Sequence, residues 1–426
     1  MFAKTVLDNG IRVVSQEMPD HRSVSLGIWV ENGSRHEARH ENGISHFIEH
    51  LLFKGTERRT AAQIAEEMDA VGGVLNAFTA KEHTCYYAKV LDENLPLAID
   101  LLSDIFLHSS FEREEIERER SVILQEISQA EDTPDDYVHD LFSLDFFQDH
   151  PLARPICGRA ETVTKFSRED FLSFFKSRYI PNRVIVSAAG HLRHDELVRE
   201  MAARLSSVSD FTAAARSSAP LEGEGPPEIR RGVFPHPKAL EQVHLCLGVL
   251  GIPQSHPKRY AAYVLNTLLG GGMSSRLFQE IREKRGKAYS VYSFSSSYKD
   301  IGYLGVYAGT SVEWVEEVVD LIIKELKNLA AGDIKEEELL RTRGQLVGSM
   351  MLGLESTDSW MSHIARNEIY FEKPITTDEI CQGIRSVLRD DVVDLARTFF
   401  NSGGTTLSLL GDFQDDFKLN NLDLGH

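Results

Sequence analysis

His46-Phe47-Ile48-Glu49-His50 spells H-x-x-E-H, two imidazoles four residues apart with a carboxylate beside the second. On a helix, residues i and i+4 share a face, so both rings can reach one metal ion about 2.0–2.1 Å from each donor nitrogen. Glu49 lies next to them. A metal acidifies a nearby water to a pKa of about 7, and an adjacent carboxylate can then take its proton at neutral pH. A catalytic site of this kind needs a third protein ligand, usually from another helix, with a fourth position open.

The stretch from Phe111 to Glu131 is rich in carboxylates, most of which read as solvated charges on a helix surface. Helical spacing separates them. Ile116, Ile123 and Ile127 form an apolar stripe with Glu119 and Glu126 within it, whereas Glu112, Glu114, Glu115 and Glu117 belong to the first turn or to other faces. A carboxylate on an apolar face is costly unless it is paired or metal-bound. Glu126 and Glu119 are therefore the candidates for a ligand and for a group supporting one.

His46, Glu49 and His50, followed by Glu126 76 positions after His50, resemble the insulinase/pitrilysin family of zinc metallopeptidases. The motif is the inverse of the commoner H-E-x-x-H, the inverzincin order. In particular the chain resembles the short bacterial members similar to the catalytic subunit of the mitochondrial processing peptidase. The flanking Asn42-Gly43, Leu51-Leu52-Phe53-Lys54-Gly55-Thr56, Gly72-Gly73 and Asn76-Ala77-Phe78-Thr79 fit the same pattern. The resemblance implies that His46, His50 and Glu126 hold one Zn2+ per chain and that Glu49 is the general base. It makes Glu119 the carboxylate that orients a ligand histidine, since a ligating imidazole usually donates its other N–H to such a group. Phe53, Asn76, Ala77 and Phe78 would line the substrate cleft.

Composition agrees. At 426 residues, 42% hydrophobic and 26% charged, the chain reads as a globular protein of two domains of about 200 residues each. A net charge of −19 argues against nucleic-acid binding and favours cationic or neutral partners. No apolar run reaches the roughly 18 residues of a membrane span, and Met1 to Gly10 reads directly into a strand and turn, so neither a membrane anchor nor a signal or transit peptide is expected. Cys85, Cys157, Cys246 and Cys381 are far apart with no C-x-x-C pair, which suits a reducing cytoplasm.

The chain looks duplicated. Val24 to Trp29 matches Val243 to Gly248 in character, His50-Leu51-Leu52 through Arg59 lines up with Thr267-Leu268-Leu269 through Arg276, Gly72 with Gly286, Phe78 with Tyr292, and Asn182 to Gly190 with Gly404 to Gly411. Between the halves, Arg216 to Pro227 has the Ser, Pro, Gly and Glu content of a linker. This predicts a catalytic domain over 1–215, a linker over 216–228 and a pseudo-repeat domain over 229–426. Each half reads as α+β, an antiparallel sheet packed against helices such as the amphipathic Val315-Val318-Val319-Ile322-Ile323-Leu326. The resemblance implies that the two domains face each other like a clamshell.

In the second half Tyr263, Asn266 and Thr267 stand where His46, Glu49 and His50 stand in the first, so only the first half can hold this metal. Gly270-Gly271-Gly272 lacks the Lys-Ser/Thr of a phosphate loop. Arg282 and Tyr289, seven apart, match the family's arginine-tyrosine pair, which by resemblance binds substrate backbone and stabilises the oxyanion. The function expected is that of a zinc endopeptidase for peptides or unfolded polypeptides, working as a homodimer, without nucleic-acid or membrane partners. Two rivals stand beside it: a non-catalytic scaffold, against which every motif position is intact, and a peptide-binding module with a structural metal, which would need a closed four-ligand shell.

Overall fold

The computed structural model describes residues 1–206, 208, 225–400 and 404–413. Strands Phe2–Val6 (β1), Arg12–Glu17 (β2), Ser23–Val30 (β3), Val74–Thr79 (β4), Thr84–Leu91 (β5) and Val184–Gly190 (β6) make a six-stranded sheet in the order β1-β2-β6-β3-β5-β4. Gly232–Pro237 (β7), Val243–Leu250 (β8), Ala288–Ser297 (β9), Gly302–Thr310 (β10) and Thr406–Gly411 (β11) make a five-stranded sheet in the order β7-β11-β8-β10-β9. The helices are Ile44–Leu52 (α1), Ala61–Asp69 (α2), Leu95–His108 (α3), Arg113–Glu131 (α4), Pro134–Phe147 (α5), Ala160–Val163 (α6), Arg168–Arg178 (α7) and His194–Leu205 (α8). They continue with Arg259–Gly270 (α9), Val315–Ala331 (α10), Glu336–Gly353 (α11), Thr357–Phe371 (α12), Thr377–Arg385 (α13) and Arg389–Phe400 (α14).

Without β1, the first sheet maps strand for strand and in chain order onto the second. Both are antiparallel, as expected, except for one parallel pairing each, β2 with β6 and β7 with β11. The parallel pair arises because the last strand of each half returns from a long helical excursion and enters between the first two, a connection too long for a hairpin. The duplication extends to detail. Gly72 and Gly286 precede β4 and β9 with φ of 64° and 62°, and Phe78 and Tyr292 lie on those strands. Arg59 bonds Asp100 and Asp104 of α3 at 2.5 and 2.7 Å, and Arg276 stands 3.6 Å from Glu325 of α10.

The chain forms two compact units that interleave. One is built from Met1–Gln129, the described part of Arg154–Glu224, and Gly353–Ile375; the other from Ala130–Ala153, Gly225–Leu352 and the described part of Thr376–His426. A consecutive partition at the expected linker, of which residues 216–224 lie outside the described residues, is thus crossed by two helices. Helix α12 covers the face of the first sheet opposite α1, where Met361, Ile364 and Ala365 pack on Val14, Trp29, Ile185 and Ala189. Ser187 Oγ donates to the Met361 carbonyl at 2.6 Å, and Lys4 pairs with the buried Glu368 at 2.7 Å. Helix α5 covers the second sheet, with Val138, Phe142 and Phe146 against Cys246, Tyr303 and Leu410. A Cβ at Gly248 would stand 2.3 Å from the Phe142 ring, so only glycine lets the helix lie so close. With helices on both faces, β3 is buried along nearly all its length, whereas β4 at the sheet edge alternates exposed and half-buried residues. No helix among the described residues is long and apolar enough to cross a membrane.

Candidate functional site

Helix α1 has two faces. Ile44, Phe47, Ile48, Leu51 and Leu52 are buried in the core of the first unit, which leaves His46, Glu49 and His50 together on the opposite stripe. Helix α4 meets that stripe: Ile116, Ile123 and Ile127 anchor it, Glu119 is buried among them, and the Glu126 side chain is 39% exposed at the rim. Glu126 therefore lies nearer solvent than its place in the apolar stripe suggested, although its neighbour Ile127 is buried in the core.

Glu126 Oε2 stands 3.8 Å from His46 Nε2 and 3.6 Å from His50 Nε2. Ligands 2.0–2.1 Å from a tetrahedral zinc are separated by about 3.3 Å, so Glu126 stands within a few tenths of an ångström of that spacing from each histidine. Their ligand atoms all lie within 4.8 Å of one another, and no other group of this kind occurs among the described residues. Burial, with His50 alongside, holds the His46 imidazole down at about 4, so the ring is in the neutral form that binds a metal. The donor set fits zinc with a position left open.

The supporting contacts are specific. Glu119 Oε2 is 3.0 Å from His50 Nδ1, which turns Nε2 toward Glu126, and Glu119 Oε1 accepts from Lys54 Nζ at 2.8 Å. Lys54 lies in the flanking stretch Leu51 to Thr56, but its pairing with Glu119 was not foreseen in the sequence. Glu49 is half-buried, and Thr79 Oγ1 donates to its Oε2 at 2.6 Å. Burial raises the Glu49 carboxyl pKa, Thr79 and His50 lower it, and Glu126 raises it again. Thr79, the last residue of β4, ties the Glu49 carboxylate to the sheet edge. It belongs to the flanking stretch Asn76 to Thr79, but its contact with Glu49 was not foreseen because nothing local links positions 49 and 79.

Of the expected cleft residues, Asn76, Ala77 and Phe78 lie on β4, which among the described residues pairs only with β5. Asn76 and Phe78 are exposed and Ala77 is half-buried; Phe78 meets Trp29 edge-on at 5.4 Å. Phe53 follows the last turn of α1, half-buried, its ring 6.3 Å from that of Tyr86. Arg282 and Tyr289 belong to the second unit, on the π-helical turn Phe278–Glu283 and at the start of β9. The structure brings these two together: the guanidinium lies 5.3 Å from the Tyr289 ring centroid, and Tyr289 is 78% exposed.

The insulinase (peptidase family M16) sequence profile matches residues 12–160, and the profile of the peptidase M16 inactive domain matches residues 165–346. A Bacillus subtilis protein named uncharacterized zinc protease YmxG is 42% identical over 400 residues, covering 94% of this chain and 96% of that protein. An uncharacterized zinc protease of Mycobacterium leprae is 43% identical over 402 residues, covering 93% of this chain and 89% of its own. Among solved structures, a protease from Helicobacter pylori aligns with a TM-score of 0.86 at 21% identity, covering 96% of this chain and 99% of that one. A structure titled peptidase M16 inactive domain from Pseudomonas fluorescens aligns at 0.88 and 18% identity, covering 99% of this chain and 100% of that one. These two share the fold. With matching profiles over both halves and close relatives along its length, the chain belongs to the insulinase family, peptidase family M16.

Proposed function

We propose that this protein is a zinc-dependent endopeptidase that cleaves peptides or unfolded polypeptides. The observation that carries the reading is the convergence of His46, His50 and Glu126 beside Glu49, with Glu49 hydrogen-bonded to the edge strand β4. His46, His50 and Glu126 would hold one zinc per chain, which would supply a Lewis acid and acidify the attacking water. Glu49 accepts the proton of the attacking water and returns it to the leaving amine. Thr79 fixes the orientation of Glu49, and Glu119 fixes that of His50. An extended peptide adds to the free edge of β4 through backbone hydrogen bonds, with Phe53, Asn76, Ala77 and Phe78 contacting its side chains, so binding makes little sequence demand. Arg282 and Tyr289 donate to the substrate backbone and to the developing oxyanion. The enzyme is proposed to work as a homodimer. A cytoplasmic setting suits its four free cysteines.

The test is metal analysis together with cleavage of a quenched fluorescent peptide with and without chelator. About one zinc per chain and chelator-sensitive cleavage are expected; cleavage indifferent to chelator would end the reading.

Two further outcomes follow. The double variant Arg282→Ala, Tyr289→Phe should keep its zinc and fold, since both side chains are exposed, and should lose about a hundredfold in turnover, the usual scale for lost oxyanion donors. Unchanged kcat in that variant would remove both residues from the mechanism. Cationic peptides should be cleaved faster than matched acidic ones at low salt, with the difference fading as salt rises, because a net charge of −19 attracts positive substrates over a Debye length. Equal rates at low ionic strength would count against this.

A further inference from the structure

Helix α1 begins without a cap of its own. Its N-cap is Gly43, in the left-handed conformation at φ 97° with no side chain to bond the first free N–H groups of the helix. A Cβ there would stand 2.7 Å from Gly158 Cα, and one at Gly158 would stand 2.6 Å from the Asn42 carbonyl oxygen, so backbone packs directly on backbone. The missing cap comes from Glu37, six residues upstream and fully buried. Its Oε1 accepts from the Ser45 N–H at 2.9 Å, and its Oε2 accepts from the Gly43 N–H at 2.8 Å and from Asn42 Nδ2 at 3.2 Å.

Glu37 is itself held in place. Arg154 Nη1 donates to its main-chain carbonyl at 2.7 Å, Asn42 Nδ2 donates also to the Pro155 carbonyl at 3.0 Å, and Thr162 Oγ1 donates to the Asn42 carbonyl at 2.7 Å. The carboxylate is thus fixed from the segment around residues 154–162 and in turn fixes the first turn of α1, whose third residue is His46. A buried carboxylate is costly, and this one touches neither the proposed metal ligands nor Glu49. Burial pushes the Glu37 carboxyl up to about 7, while the donors of Gly43, Ser45 and Asn42, and its place at the positive end of a short helix, favour the charged form.

We infer that Glu37 is a positioning residue for the metal helix, setting the axial position of α1 so that His46 and His50 meet Glu126. The inference rests on the zinc-peptidase reading and adds to it a residue outside the motif. Core packing of Ile44, Phe47, Ile48, Leu51 and Leu52 holds the helix on the sheet, while Glu37 fixes its first turn; a misplacement of about 1 Å can cost on the order of a hundredfold in rate.

The experiment uses the full chain with Glu37→Gln and Glu37→Asp. Glutamine keeps the shape but sets an NH2 group against donors; aspartate keeps the charge on a shorter arm. Zinc affinity is measured by competition with a chromogenic chelator, kcat and KM with a quenched peptide, and amide exchange along the zinc-free protein. For Glu37→Gln the expected result is zinc affinity down at least about tenfold, the low end for residues supporting a metal site. With it should come a fall in kcat at nearly unchanged KM and faster exchange confined to α1 and residues 37–43. Glu37→Asp should fall between it and the parent chain, and it carries the same test if the glutamine variant does not fold. Parental zinc affinity and kcat in a folded variant would overturn the inference, as would a loss of protection spread evenly over the whole unit. A parent chain that binds no zinc would instead refute the proposed function, so the two failures are distinguishable.

Discussion

Glu49→Gln is expected to retain zinc and to lose at least about a thousandfold in kcat, within the range attributed to a positioned general acid–base. The amide has the volume of the carboxylate and can still accept from Thr79 Oγ1, so the local geometry survives. What it cannot do is take a proton. Because Glu49 is not among the converging ligand atoms of His46, His50 and Glu126, metal content should not change. KM should move little, since the proposed binding along β4 uses backbone groups rather than Glu49. The measurement pairs zinc content with steady-state kinetics on one preparation. A variant with parental turnover would show that another group handles the proton, whereas one that loses zinc would make Glu49 a ligand.

His46→Ala and Glu126→Gln should each lose the metal, and with it all cleavage above background. Three donors are the minimum catalytic set, and two cannot hold zinc against dilute chelator at neutral pH. The two variants should differ in stability. Glu126 is partly exposed and carries two hydrogen-bond-free contacts to the histidines, so its exchange for glutamine should leave folding of the zinc-free protein almost unchanged. His46 is largely enclosed and its Nδ1 has no partner, so removing the ring opens space but relieves a buried polar group. Full zinc retention in both variants, or two tightly bound zinc ions per parent chain, would refute the assignment.

Much of this site was legible because helical periodicity is a local code. Spacing alone put His46, Glu49 and His50 on one face, and the isoleucine stripe of α4 singled out Glu119 and Glu126 from a crowd of carboxylates. The supporting residues were not legible in the same way. Thr79 reaches Glu49 across 30 positions, and Glu37 acts through backbone N–H groups, which leave no mark on residue type. The duplicated strands could be read from apolar runs at matching places. The parallel pairing of β2 with β6 and of β7 with β11 could not, since a strand's composition does not name its neighbour. For the same reason the amphipathic patterns of α5 and α12 gave no sign that each covers the sheet formed mainly by the other half of the sequence.

That exchange of helices sets a timetable for the protein's synthesis. Every residue of the proposed metal site has left the ribosome long before α12, which closes the opposite face of the same sheet and ends only at Phe371. From the end of α8 at Leu205 to that point, elongation at about 5–20 residues per second takes roughly 8 to 33 s. Throughout that interval Val14, Trp29, Cys85, Ile185 and Ala189 present an open apolar surface on the growing chain. Exposed apolar surface of this kind is prone to aggregation, and a fragment ending near residue 215 would lack α12 to cover it. Shortening the protein to its metal-bearing part would therefore yield not a smaller enzyme but an arrested intermediate.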